Sequence, residues 1–264
     1  MMAFAATSLY LSRLVLNPQS RQVMSEITQP YEMHRTLMRA FPRMADDSQR
    51  KARDEFSVLF RAEVADLQGP VKVYVQSCIE PDWSFLHDLN DYLWANAGGP
   101  AYEWKDVLQA YRQIQGGQVL SFRLRANPTK RIAAENNKLK GKRVELRRED
   151  EQLSWLSRKG QTMDNGVPGG FSLLMKKVKD GTGEEYMVPC VKVCCEGKQV
   201  GRKRDEAGGH PTTHMAVLFD GLLRVTDAAS FLETLINGIG AGKAFGFGLL
   251  SVASVASYAL KEEG

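Results

Sequence analysis

"EFSVLFRAEVADLQGPVKVYVQS", Glu55 to Ser77, decides how the first half of the chain is read. Within it "VKVYVQS" is a strand candidate. "EFSVLFRAE" carries a similar β-forming composition, and Gly69-Pro70 between the two runs is a turn signal, so the stretch reads as two strands joined by a turn.

Upstream, "TQPYEMHRTLMRAF" reads as a helix. Pro30 suits the first turn, where its missing N–H costs nothing, and Thr28 or Gln29 supplies the cap region. At 100° per residue Met33, Leu37, Ala40 and Phe41 share the face expected to be buried. Tyr31 and His34 fall on its margin, and Arg35 and Arg39 further round on the polar side. Before this helix, across a polar connection, "SLYLSRLVLNP" reads as a strand stopped at Asn17-Pro18. Downstream come a helical or irregular region from Trp83 to Ile114 and then "GQVLSFRLRANP" as another strand. The order is β-α-β-β-α-β, the ferredoxin-like split unit, whose free sheet face many RNA-recognition modules use.

The second half repeats the idea. "REDEQLSWLSRKG" is a helix with acids in its first turn and Arg158-Lys159 in its last, matching the helix dipole. "FSLLMKKVKD", "EEYMVPCVKVCC" and "THMAVLFDGLLRV" are strand candidates, Asp227 caps "AASFLETLIN", and "FGLLSVASV" closes as a strand. The expected fold is α+β: an extension over 1–7, a ferredoxin-like domain over 8–128 carrying the helix of Tyr31 and His34, and a second over 129–264 in tandem. A chain of 264 residues accommodates two such domains, and 43% hydrophobic with 25% charged residues is ordinary globular composition.

A net charge of +4 says little about partners, but its distribution says more. Between Arg123 and Arg148 stand ten Lys or Arg against two acids, including Arg123, Arg125, Lys130 and Arg131, so the rest of the chain is net acidic. A second cluster, Lys192 to Arg204, holds five basic residues (Lys192, Lys198, Arg202, Lys203, Arg204) and one acid. Two such clusters on a split β-α-β plan point to a nucleic-acid backbone. The glycine-rich "NGIGAGKAFGFG", Asn237 to Gly248, fails the P-loop pattern at both ends and lies between a helix and a strand in the wrong order for a dinucleotide fingerprint. It remains either a helix C-cap followed by a bulge, or a backbone surface (Gly240, Gly242) that with Lys243 suits a phosphate chain.

The four cysteines, Cys78, Cys190, Cys194 and Cys195, form no CxxC pair, and no Asp/Glu cluster suits a two-metal phosphodiesterase, so no metal or other cofactor is expected. The opening residues lack a basic n-region and no window offers a membrane-length apolar run, which reads as a cytoplasmic protein with no membrane partner. If it cuts nucleic acid, metal-free proton transfer is the route left, and RNA allows it because its own 2′-hydroxyl can attack the adjacent phosphate. Tyr31 and His34, one helical turn apart beside Arg35, are the candidates. His87, His210 and His214 carry weaker signals.

"YLSRLVLNP", "YEMHRTL", "FRLRANPTKR", "EQLSWLSRKG", "AVLFDGLLRVTD" and "GIGAGKAFGFGLLSV" occur in the order seen in the CasE family, the CRISPR RNA-processing endoribonucleases of type I-E systems, and the chain resembles that family from about Ser8 to Val255. The resemblance implies two ferredoxin-like domains and cleavage of the CRISPR repeat transcript at the base of its stem-loop. The ends would be a 5′-hydroxyl and a 2′,3′-cyclic phosphate or 3′-phosphate, and the hairpin would stay bound within the Cascade assembly. It also implies proton transfer by His34 with help from Tyr31, phosphate contacts by Arg35 and Arg39, RNA approach at the glycine loop, and a stem lined by Lys198 to Arg204. The competing reading is a non-catalytic RNA-binding subunit of the same complex; a weaker one is a structural assembly protein.

Overall fold

The computed structural model describes residues 6–43, 56–66, 69–95, 98–132, 143–163, 166–202 and 211–255. Their strands are β1 (Tyr10–Leu16), β2 (Leu59–Val64), β3 (Val71–Ser77), β4 (Tyr102–Asp106), β5 (Val119–Ala126), β6 (Thr129–Arg131), β7 (Arg143–Glu145), β8 (Phe171–Leu173), β9 (Met175–Lys179), β10 (Glu185–Pro189), β11 (Val191–Arg202), β12 (Pro211–Val225) and β13 (Leu250–Ser254). The helices are α1 (Arg21–Thr28), α2 (Pro30–Leu37), α3 (Leu108–Arg112), α4 (Glu149–Gln161) and α5 (Ala228–Asn237). The chain divides into two compact units, one drawn from Met1–Gln113, Gln199–Thr213 and Gly242–Leu249, the other from Ile114–Lys198, His214–Ala241 and Leu250–Gly264.

In the first unit the hairpin works as its sequence suggests. Val71, Val73 and Val75 of β3 are buried, and the Gly69 N–H donates to Asp66 O at 3.2 Å in the reversal ahead of Pro70. The sheet runs β2-β3-β1-β4 with every neighbour antiparallel; Leu14 lies opposite Val73 and Phe60 opposite Val75. Against it pack Val23 of α1, Met33 and Leu37 of α2, and Trp83, Leu86 and Tyr92. The buried Trp83 indole N–H donates to Ser12 Oγ at 3.0 Å, so the largest core ring carries no unmet donor.

Two expectations are corrected here. The segment read as a polar connection is helix α1, and its composition hid it because only Val23 and Glu26 are buried. It stops at Gln29 (φ −123°, ψ 75°), since the residue before a proline avoids the helical region and Pro30 cannot continue the hydrogen-bond ladder. The first sheet closes with β4 and not with Val119–Ala126, ahead of the boundary expected at residue 128. Strand β4 sits on an edge with four of its five residues exposed, so it shows no apolar alternation to read.

Strand β5 belongs to the second unit, where it lies between β12 and β13, antiparallel to both. Six of its eight residues are buried, as a central strand requires. The sheet order is β11-β12-β5-β13, and β8 pairs with another part of β12. Helix α4 follows β5 in the chain, and α5 lies between β12 and β13. Phe122, Leu124, Trp155, Phe171, Phe219 and Phe231 are buried in this unit. Asp227 caps α5 as its sequence suggests, its Oδ1 accepting from the Ser230 N–H at 2.8 Å. Among the described residues no helix is long and apolar enough to cross a membrane.

Candidate functional site

Pro30 starts α2 and Met33, Leu37, Ala40 and Phe41 turn into the core, as the periodicity requires. His34, expected on the helix margin, is instead buried at 3% exposure. Its ring stacks on Phe60 of β2, centroids 6.2 Å apart with planes 11° from parallel. Tyr31, half-buried one turn earlier, lies 6.0 Å from the imidazole and 5.8 Å from the ring of Phe245. Phe245 ends a 3-10 turn (Lys243–Phe245) whose flanking Gly242 and Gly246 both take left-handed φ, 83° and 76°. A side chain at Gly242 would also meet Phe247 Cδ2 at 2.9 Å, so both the backbone and the space call for glycine. Gly201 faces the Phe245 ring so closely that a Cβ there would lie 2.1 Å from its Cε1. Phenol, imidazole and phenylalanine rings thus form one aromatic cluster within the first unit.

The sequence reading passed over Phe60, Phe245 and Arg61. Strand alternation marks Phe60 only as core, and nothing local places Phe245 beside Tyr31. Arg61 is buried at 3% exposure; its Nε donates to Glu63 Oε1 at 2.8 Å and its Nη1 to Leu249 O at 3.1 Å, tying the end of the glycine segment to β2. Arg35 and Arg39 line a depression of about 520 Å³ with Gln22, Glu26, Glu32, Thr36 and Arg43. Arg35 pairs with Glu32 at 2.9 Å, an exposed i,i+3 pair that a phosphate can replace at little cost, and Arg39 lies 4.4 Å over the Phe85 ring.

In the second unit the basic candidates separate into two groups. Arg123 donates to Asp220, directly opposite on β12, through Nε at 2.6 Å and Nη2 at 3.1 Å, and Arg125, buried at 7% exposure, pairs with Glu196 at 2.6 Å. These two arginines already have carboxylates. Lys130 and Arg131 instead line a cleft of about 460 Å³ with Asn127, Arg143, Trp155, Arg158 and Gly240. Lys130 reaches Glu151 at 2.8 Å, whereas Arg131 and Arg143 are paired with no carboxylate among the described residues and stand directly opposite each other on the β6–β7 ribbon. Like charges in that register repel unless an anion lies between them. The sequence reading counted Arg143 only in a charge sum and gave Arg158 only a helix-dipole role; folding brings both to this cleft. Lys198 is exposed on β11 and Arg202 ends that strand. Lys203, Arg204 and His210 lie outside the described residues.

The other histidines keep modest roles. His87 Nε2 lies 3.2 Å from the Tyr102 hydroxyl, and Asn127 Nδ2 lies 2.9 Å from His214 Nδ1, where burial pulls the imidazole pKa down against the opposing influence of Glu145. No group of three or more His, Cys, Asp or Glu side chains among the described residues is arranged to hold a metal.

Residues 9–254 match the family model described as CRISPR associated protein. The chain is 38% identical to the CRISPR-associated endoribonuclease Cse3 of Thermus thermophilus over 247 residues, 93% of this chain and 100% of that one. It is 29% identical to the CRISPR system Cascade subunit CasE of Escherichia coli, over 93% of this chain and 99% of that one. Among solved structures it resembles CRISPR endoribonuclease Cse3 bound to 19 nt RNA, with a TM-score of 0.67, 36% identity and coverage of 93% and 99% of the two chains.

Proposed function

We propose how this chain, which belongs to the CRISPR-associated protein family of Cse3 and CasE, does its work: it is an endoribonuclease that processes CRISPR RNA, holds the hairpin it has cut, and assembles with other Cascade subunits. The fold beneath this reading is a tandem of two ferredoxin-like domains, the first from β1 to β4 and the second beginning at β5. It is supported by the β2-β3-β1-β4 order of the first sheet and by its counterpart β8-β12-β5-β13 in the second. A cytoplasmic location goes with the reading.

The reaction is attack of the ribose 2′-hydroxyl on the neighbouring phosphorus. The 2′-hydroxyl gives up its proton as the new O–P bond closes a 2′,3′-cyclic phosphate, the P–O5′ bond breaks, and the 5′-oxygen takes up a proton to leave as a hydroxyl. His34 moves a proton in this exchange and Tyr31 orients the phosphate beside it; Arg35 and Arg39 hold flanking phosphates. In the second unit Lys130, Arg131 and Gly240 take the RNA backbone at the basic cleft and Lys198 on β11 is a further RNA contact, and in the first unit Arg202 is another. Lys243 and Gly242 present the glycine turn. Arg123 and Arg125 contribute by exchanging their carboxylates for phosphate.

The observation that carries this reading is the placement of His34 and Tyr31 together, held by Phe60 and Phe245, in a chain that matches an endoribonuclease over its full length. The test is single-turnover cleavage of end-labelled repeat RNA in EDTA. Wild type should cut, His34→Ala should bind without cutting, Tyr31→Phe should slow, and RNA with a 2′-deoxy scissile nucleotide should resist. Cleavage only with added divalent metal, or at full rate by His34→Ala, overturns the mechanism; tight binding with no cleavage by wild type supports a binding subunit instead.

A further inference from the structure

Glu26 of α1 is buried at 4% exposure and forms no ion pair among the described residues, although Arg35, Arg39 and Arg43 line the same depression. Its carboxylate accepts three hydrogen bonds: from Gln22 Nε2 at 2.8 Å and Thr36 Oγ1 at 2.6 Å on Oε1, and from the Tyr92 hydroxyl at 2.5 Å on Oε2. Tyr92 is fully buried and its hydroxyl also lies 3.7 Å from Met33 Sδ, so the node joins α1, α2 and the loop before β4. Burial first and Glu26 second push the Tyr92 phenol far above its ordinary pKa, so it stays a donor throughout the working pH range.

Despite those arginines, the hydrogen bonds Glu26 accepts all come from neutral donors, and a buried carboxylate held that way is a costly means of gaining stability. What it supplies is direction, since hydrogen bonds fix angles that sliding apolar contacts do not. Helix α2 needs that direction. It has eight residues and is severed from α1 at Gln29, so α1 cannot impose its rotation through a continuous ladder. The apolar residues it turns inward, Met33 and Leu37, include a flexible methionine. Thr36 stands 200° round the helix from His34 at 100° per residue, so a hold at Thr36 fixes the rotation that aims the imidazole. A ring roughly 5 Å from the helix axis moves about 2 Å for a 20° turn, and misplacement of about 1 Å can cost 10²-fold in rate.

We propose that Glu26, acting through Thr36 and Tyr92, is the positioning group that sets the rotation of α2 and so aims His34 at the scissile ribose. The inference rests on the assignment of His34 as the proton-transfer group.

The experiment compares wild type, Thr36→Val, Thr36→Ser, Tyr92→Phe and His34→Ala on a repeat stem-loop RNA, measuring single-turnover rate, RNA affinity and melting temperature. Thr36→Val and Tyr92→Phe should cut about 10- to 100-fold more slowly with RNA affinity within about twofold of wild type. Thr36→Ser, which restores the hydroxyl, should recover most of the rate even where its melting temperature matches that of Thr36→Val. A Thr36→Val rate equal to wild type, or a Thr36→Ser rate as low as Thr36→Val, overturns the proposal while leaving His34 in place. If Tyr92→Phe does not fold, the two Thr36 variants decide by themselves. Full activity in His34→Ala removes the underlying assignment instead, and the two failures are told apart in one set of measurements.

Discussion

Arg131→Gln should make the RNA-free protein more stable and the RNA complex weaker, two effects of opposite sign from one charge. In the free protein Arg131 faces Arg143 across the β6–β7 ribbon, both exposed, so their repulsion is screened but real. At about 7 Å in a water-like dielectric it is roughly 0.6 kcal/mol, within the 0.2–1 kcal/mol range for directly opposed like charges. Removing it should raise the melting temperature by about 1–3 °C for a chain of this size. In the proposed RNA complex the same guanidinium neutralises a phosphate and releases counterions. Its loss should lower the slope of log K against log salt by about 0.7–0.9 and weaken binding about fivefold to tenfold near 0.1 M salt. Calorimetry on the free protein and filter binding at four salt concentrations measure both, with the single-turnover rate at saturating protein unchanged. A fall in melting temperature, or an unchanged salt slope, would refute the argument, because either means that Arg131 is held by the protein and not by the nucleic acid.

Gly201→Ala should force the Phe245 ring away from Tyr31, costing about 1–3 kcal/mol as overpacking and slowing cleavage; adding Phe245→Leu should restore part of the stability, and simple additivity in the double variant would count against the contact. Phe245→Ala alone should cost about 3 kcal/mol by emptying a nearly buried site and should weaken cleavage more than RNA binding. Asp227 accepts from the Ser230 hydroxyl and then the Ser230 N–H, which hold its carboxyl below the ordinary pKa. A depressed folded pKa means that the cap's contribution is complete above the unfolded value and fades as pH falls through the folded one. Asp227→Ala should therefore lower the melting temperature at pH 7 and differ progressively less from wild type as pH falls through the acid range, whereas a constant difference would show that ionisation of the cap is irrelevant.

Local periodicity was enough for the elements whose two faces meet different surroundings. Val71, Val73 and Val75 alternate because β3 has the core on one side, and the cap at Asp227 and the start at Pro30 were legible because each rests on chemistry within three or four residues. Strand β4 was not legible, since an edge strand with four exposed residues has no pattern to betray it. Strand β5 was legible as a strand but not as a member of the second sheet: its partners, β12 and β13, lie 91 to 134 residues away in sequence (Val217↔Ala126 to Ser254↔Leu120), and nothing within an eight-residue run records which sheet will close on it.

The site divides the same way. Residue type and one-turn spacing were sufficient to single out Tyr31 and His34, because a phenol and an imidazole on one helix flank meet whatever the tertiary fold. Composition likewise marked 123–148 as basic. Only the tertiary structure decided that His34 is buried on Phe60, that Phe245 packs against Tyr31, that Arg123 and Arg125 carry their own carboxylates while Arg131 and Arg143 have none among the described residues, and that Glu26 is the buried node behind the helix. Most of these join residues of different elements, and their spacing in sequence carries no trace of the distance that burial of apolar surface finally sets between them.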